Sequence, residues 1–217
     1  MKNFRYLILC ILMTPFLLLN NQCAKTKDVE LINDTIDTTV NNSDTIYYGF
    51  VLNEVLYDPP SGLEGDSNND SVRDPNDDEF IEFVNDTDSI FDLSGYKIYD
   101  AERLSLGTPN HVFPENTLIN PGQAVVVFGG GIPTGNFGGA QVFTSSNQVL
   151  NLNNSGDLMT LTDSLGNIII EFDVTPLSNN PNESYTRDPD LSGDFTQHNT
   201  VSGTLFSPGT KTDGTPF

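Results

Sequence analysis

Pro121-Gly122-Gln123-Ala124-Val125-Val126-Val127-Phe128-Gly129-Gly130-Gly131 is the stretch that decides the fold class. Valine crowds the preceding turn of a helix but packs well on a pleated sheet, and the apolar run is too short for an amphipathic helix. Pro121-Gly122 before it and the glycines after it are turn signals. The stretch predicts a strand between two sharp breaks. The same pattern recurs on either side, at 48–57, 79–84, 96–99, 141–144, 158–162 and 168–174, with Gly, Pro, Asn and Asp between the runs. No segment shows sustained helical spacing. An all-β domain over 46–217 follows, with enough strands for a sandwich.

The N-terminus is of another kind. Lys2 and Arg5 precede an almost uncharged apolar run over 6–19, which turns polar at Asn20, Asn21 and Gln22. That is the order of a secretory signal, and the run is too short to remain as a membrane span. Cys23 follows at once. The junction resembles the lipobox of bacterial lipoproteins, although Asn20 and Gln22 stand where leucine and a small residue are usual. Residues 1–22 are expected to be removed, taking Cys10 with them and leaving Cys23 as the one cysteine of the exported chain. Lipidation of Cys23 accounts for it, in preference to intermolecular pairing or a free thiol. The expected location is the outer membrane or cell surface, with the membrane as a partner through Cys23. Residues 23–45 are rich in Asp, Asn and Thr with few apolar residues, and read as a tether; an edge strand over 32–36 is the alternative.

The formal net charge is −21. Nucleic-acid affinity rests on Lys and Arg neutralising phosphates, so this composition excludes a nucleic-acid partner and favours cations. Enzymatic constellations are also missing from the sequence. His111 and His198 are the only histidines, no G-x-S-x-G or H-E-x-x-H occurs, and Ser207 reads as a turn serine. Glu79 and Glu82 are expected on opposite faces of one strand because strand side chains alternate.

Several motifs, in order, are similar to those of the lamin tail domain family: Asn53-Glu54-Val55, Asp78-Glu79-Phe80-Ile81-Glu82-Phe83-Val84-Asn85, Asp92-Leu93-Ser94-Gly95-Tyr96-Lys97-Ile98, Pro121-Gly122 with Ala124 to Phe128, and Asn154-Ser155-Gly156-Asp157. Ser184-Tyr185-Thr186-Arg187, His198-Asn199 and Phe206-Ser207-Pro208-Gly209 look like the closing segment of bacterial members. The resemblance implies an immunoglobulin-like β-sandwich without catalytic residues, used for binding or scaffolding. Gly95 and Gly156 suit turns that need positive φ, while Asn154 and Asp157 are expected to satisfy turn amides.

One segment carries a candidate chemistry. Asp66, Asn68, Asp70, Asp74 and Asp77 fall at positions 1, 3, 5, 9 and 12 of a calcium-type loop, with the Val72 carbonyl at position 7. Calcium takes six to eight oxygens, and alternate residues of a tightly curled loop can point inward together. Ser71 replaces the usual glycine and Asp77 the usual bidentate glutamate, so an ordinary EF-hand is excluded. The same composition suits a solvated Asn/Asp turn; Arg73 is expected to pair with a carboxylate when no ion is present. Two functions fit the whole: a surface recognition module for an unidentified surface protein or glycan, or a structural envelope element. Recognition would draw on the Gly129 to Gly139 loop and on Tyr47, Tyr48, Phe137 and Phe143, although core burial is the plainer role for those rings. The oligomeric state is left open.

Overall fold

The computed structural model describes residues 49–177 and 182–217. The signal segment, Cys23, the tether, Tyr47 and Tyr48 lie outside the described residues. In chain order the strands of the first half are β1 (Phe50–Leu56), β2 (Phe80–Asn85), β3 (Phe91–Asp92), β4 (Lys97–Tyr99), β5 (His111–Val112) and β6 (Leu118–Ile119). They are followed by β7 (Ala124–Phe128), β8 (Gln141–Thr144), β9 (Leu158–Thr162), β10 (Ile168–Asp173), β11 (Tyr185–Asp188) and β12 (Asp194–Gln197). Two short helices, α1 (Ala101–Leu106) and α2 (His198–Ser202), interrupt them.

The strands form a six-stranded sheet in the order β12-β11-β1-β2-β7-β8, a four-stranded sheet β10-β9-β4-β5 and a ribbon β3-β6. Pairing is antiparallel except where β8 runs parallel to β7. One apolar cluster joins the two larger sheets: Phe50, Leu52, Val55, Ile81, Phe83, Val125 and Val127 meet Ile98, Met159, Leu161, Ile170 and Phe172. The rings of Phe50 and Phe83 stack at 5.3 Å, and Phe91 of the ribbon stacks on Phe50 at 4.6 Å. This is an immunoglobulin-like β-sandwich.

β7 explains the stretch that opened the sequence. Alternate side chains of a strand leave on opposite faces, so Val125 and Val127 enter the inter-sheet core while Val126 and Phe128 join Leu56 and Phe80 on the outer face. That outer face is itself covered, by Phe137, Ala140, Val142 and Phe206. Burial on both sides is why the strand is apolar without alternation.

β1 needs one irregularity to serve both faces. Leu52 is paired with Phe83 but Glu54 with Glu82, so Asn53 is an extra residue and the alternation shifts across it. Phe50 and Leu52 point inward before this bulge and Val55 inward after it. Glu54 and Leu56 thereby reach the outer face.

The strands expected from the sequence are all present, with ends shifted by a few residues. β3, β5, β6, β11, β12 and both helices were not anticipated. The first three are two-residue pairings, below the length at which periodicity is readable. α1 is set by Asp100, whose side chain accepts from the Arg103 amide, and is closed by Gly107 at φ 67°.

Candidate functional site

The acidic loop connects β1 to β2, and its hub is a residue the spacing did not single out. Asp78 is fully buried. Its Oδ1 accepts from the amides of Ser67 (2.9 Å) and Asn68 (3.3 Å), and its Oδ2 from that of Asp74 (2.8 Å). Ser67 Oγ donates back to the Asp78 carbonyl. One carboxylate at the base of β2 thus staples both halves of the loop. Burial raises its pKa first, and the amides from Asp74, Asn68 and Ser67 oppose that rise.

The residues picked as ligands are drawn into one curled segment. Asp66 accepts from the amides of Asp70 (3.1 Å) and Ser71 (2.9 Å), and Asn68 Oδ1 also accepts from Asp70 (3.0 Å). Asp70 accepts from Val72 (2.9 Å) and, across the fold, from Ile132 (3.2 Å). Asp74 accepts from Asn76 (2.9 Å) and Asp77 (3.2 Å). Asn69 and Ser71 adopt left-handed φ of 58° and 74°, which tightens the curl at the place where Ser71 stands for glycine. The Asp77 carboxylate accepts no hydrogen bond among the described residues, although its carbonyl takes the Gly130 amide at 3.2 Å; burial raises its pKa first, then repulsion from Asp74 and Asp70. Val72 is exposed. Among the described residues, no three His, Cys, Asp or Glu side chains are grouped as the ligands of a metal ion. Most of the loop's carboxylate oxygens instead receive backbone amides.

The loop lies on the glycines that end β7. A Cβ at Gly129 would stand 1.8 Å from the Asn76 carbonyl oxygen, and one at Gly130 1.9 Å from Asp77 Oδ1. The glycine run is therefore a floor for the acidic loop and not a free contact rim at that end. Among the described residues the hydrogen bonds of Arg73 go to carbonyls, from Nε to Pro60 and from Nη2 to Pro59, while its charge acts on the nearby Asp58 carboxyl, opposing the rise that burial causes. These carbonyls belong to the chain leaving β1, so Arg73 ties the two ends of the loop together. Phe137 packs on Phe128 and Phe143 on Phe113, which leaves neither as a free-standing exposed ring.

A second polar cluster lies on the outer face of the six-stranded sheet. Glu54 and Glu82 are cross-strand neighbours and both fully buried. Glu54 Oε1 accepts from Ser184 Oγ (2.6 Å) and the Ser207 amide (2.9 Å), and Oε2 from Ser207 Oγ (2.8 Å). Glu82 accepts from Asn53 Nδ2 (2.9 Å) and the Gly209 amide (2.6 Å). Burial raises both carboxyls, and repulsion from Glu54 raises Glu82 further. His198 Nε2 lies 2.8 Å from Ser207 Oγ and 3.9 Å from Glu54 Oε1.

Serine and histidine therefore meet on this face, which no local motif marks. The order of groups is wrong for nucleophilic catalysis, because Ser207 sits between the histidine and the acid and donates to the acid. His198 Nδ1 faces the Thr204 carbonyl at 3.0 Å, where an orienting carboxylate would be needed. The other histidine, His111, is packed among Phe113 and Phe143, and burial holds its pKa down at about 4.

Glu79 and Glu82 point to opposite sides, Glu79 Oε2 accepting from the Leu152 amide at 3.3 Å. Asp157 satisfies the amides of Ala101, Asn153 and Leu158, as turn chemistry predicts. Asn154 differs: its Nδ2 reaches Asp58 Oδ1 at 2.7 Å and bridges to the first strand's exit.

Two packed sheets, a stapled polar loop and carboxylates committed to internal hydrogen bonds define an immunoglobulin-like β-sandwich module. The Lamin Tail Domain family profile matches residues 49–176, more than half of the 217 residues, and the chain belongs to that family. A search of curated proteins found no match. The matched range stops before β11, so β11, β12, α2 and the C-terminal segment lie beyond it.

Proposed function

We propose that this protein is a non-catalytic binding or scaffolding module, carried to the cell surface by its N-terminal signal and held there by lipid on Cys23. The observation that carries this reading is the family match over a sandwich whose conspicuous polar groups, Glu54, Glu82, Asp78 and Asp157, are committed to internal hydrogen bonds. The apolar run over 6–19, Cys23 and the polar stretch after it support export and anchoring. Its partner is a surface protein or glycan, and the strongly negative surface favours cation-dependent contact.

Calcium belongs to the same reading. Asp66, Asn68, Asp70, Asp74 and Asp77, with the Val72 carbonyl, would hold it. The left-handed turns at Asn69 and Ser71 and the mutual repulsion of Asp70, Asp74 and Asp77 support this assignment. A cation there would relieve the repulsion and stiffen the loop. Asp77→Asn tests it cleanly, because the Asp77 carboxylate caps no amide. Thermal unfolding of wild type in EDTA, magnesium and calcium should show a calcium-specific rise that Asp77→Asn loses. In EDTA the variant should be the more stable of the two. Absence of any shift at calcium of about 10⁻³ M, the weak end for extracellular sites, would leave a solvated acidic turn and favour a purely structural envelope role.

A further inference from the structure

The C-terminal segment encloses an open cleft of about 520 Å³, within the roughly 300–1,000 Å³ usual for small-ligand sites. Its lining falls within residues 201–214, beyond the range that the family profile matches. Phe206 and Val201 give it apolar surface. The Phe206 ring stands edge-on to the fully buried Phe80 at 6.4 Å, which holds it in place. The polar part of the lining is a turn closed by its own backbone: Gly214 donates to the Lys211 carbonyl at 2.8 Å, and Lys211 to that of Thr215 at 2.9 Å. Both parts are ordered before anything enters, so a ligand loses little affinity to ordering them.

The hydrogen-bonding groups of this lining are one-sided. Thr210 Oγ1 donates to the Ser207 carbonyl and Thr212 Oγ1 to Asp190 Oδ2, each at 3.1 Å. A hydroxyl has one hydrogen and two lone pairs, so both oxygens have given their hydrogen to the protein and can only accept from a ligand. Asp213 takes the amide (2.9 Å) and the hydroxyl (2.6 Å) of Thr215 on Oδ1, which leaves Oδ2 to accept. The Ser207 hydroxyl is given to Glu54. A ligand for such a lining brings several hydrogens to donate and an apolar face for Phe206 and Val201. An anion meets acceptors and a carboxylate. A small ammonium satisfies the acceptors but leaves the ring and most of the volume unused, and Lys211 already offsets part of the Asp213 charge. A pyranose sugar meets both demands, with hydroxyls around its rim and C–H bonds on its faces.

We propose that this cleft is a carbohydrate-binding site for one or two neutral sugar rings, in which Thr210 Oγ1, Thr212 Oγ1 and Asp213 Oδ2 accept sugar hydroxyls and Phe206 packs against a C–H face. The proposal rests on the reading of the protein as a binding module and names a glycan as its partner. The acidic loop over 66–78 supplies none of the lining, so the site needs no calcium.

NMR titration of the full chain in EDTA, with methyl glucoside, methyl galactoside, methyl mannoside, cellobiose, lactose and chitobiose as probes, reads the site directly. At least one of these saccharides should shift the amides of residues 201–214 saturably at millimolar concentration, and glucuronate should not. Asp213→Asn keeps an oxygen for the Thr215 contacts but turns the second acceptor into a donor. Its affinity for that saccharide should fall about tenfold or more, as expected for loss of a hydrogen bond to a charged group, while the amides of the inter-sheet core stay unshifted and show that the variant is folded. No shift of residues 201–214 by any saccharide, or an unchanged affinity in Asp213→Asn, overturns the site. Shifts with methylammonium alone assign the cleft to an amine and overturn the carbohydrate. A saccharide that shifts only residues elsewhere removes this site and leaves the binding-module reading standing; a protein that takes up no saccharide and captures nothing from a surface fraction removes both.

Discussion

At the residue scale, the acidic loop rests on what a single atom would forbid. Gly129 has no alternative in this structure, since the contact a Cβ would make is with the Asn76 backbone oxygen, which no rotamer change can remove. Gly129→Ala should therefore lower stability by about 1–3 kcal/mol, the usual cost of overpacking, and shift the NMR signals of residues 74–78 more than those of the inter-sheet core. A thermal midpoint within error of wild type would show that the loop does not lie on this floor. Asp78 has the opposite character: a polar residue that is buried because three amides meet it.

At the element scale, two phenylalanines separate the sandwich from its cover. Phe83 on β2 is fully buried between the sheets, and Phe206 on the C-terminal segment is half-buried against Phe80. Phe83→Ala should cost about 3–5 kcal/mol in global unfolding by denaturant. Phe206→Ala should leave most of that stability and instead speed protease cleavage within the last residues of the chain, because it loosens the cover alone. Equal losses from both would mean that the segment folds as one unit with the sandwich. The strands that were legible before the structure are those whose apolar runs span four or more residues between turn signals. β11 escaped because Tyr185-Thr186-Arg187-Asp188 places a buried arginine inward, with Nε on the Leu52 carbonyl and its guanidinium 4.5 Å from the Phe195 ring. A strand completed by such contacts carries no periodic apolar signature of its own.

At the scale of the whole molecule, a charge of −21 sets a repulsion that the fold must bear. Screening shortens its range, to about 3 Å at 1 M salt, so the melting temperature should climb with sodium chloride in EDTA, as calorimetry would measure. A midpoint that falls or stays level would place the charge too far apart to matter. Any calcium effect must be read above this general rise, at constant ionic strength.

The sequence by itself determined the all-β class, the positions of the long strands, the turn roles of Gly95 and Gly156, with φ of 75° and 137°, and the place of the acidic loop between β1 and β2. Those are consequences of side-chain alternation and backbone preference, which act over a few residues and can be read from them. Only the tertiary structure decided that β7 is buried on both faces, that Asn53 is a bulge, and that Glu54, Glu82, His198 and Ser207 meet. Their separations along the chain are large, as with Ser207 and Glu54 at 153 residues, and no local pattern encodes which distant acceptor a donor will find. That choice is made by the register of β1 on β2 and by the path of the C-terminal segment across the sheet, since a buried donor or acceptor must find whatever partner the fold brings within reach.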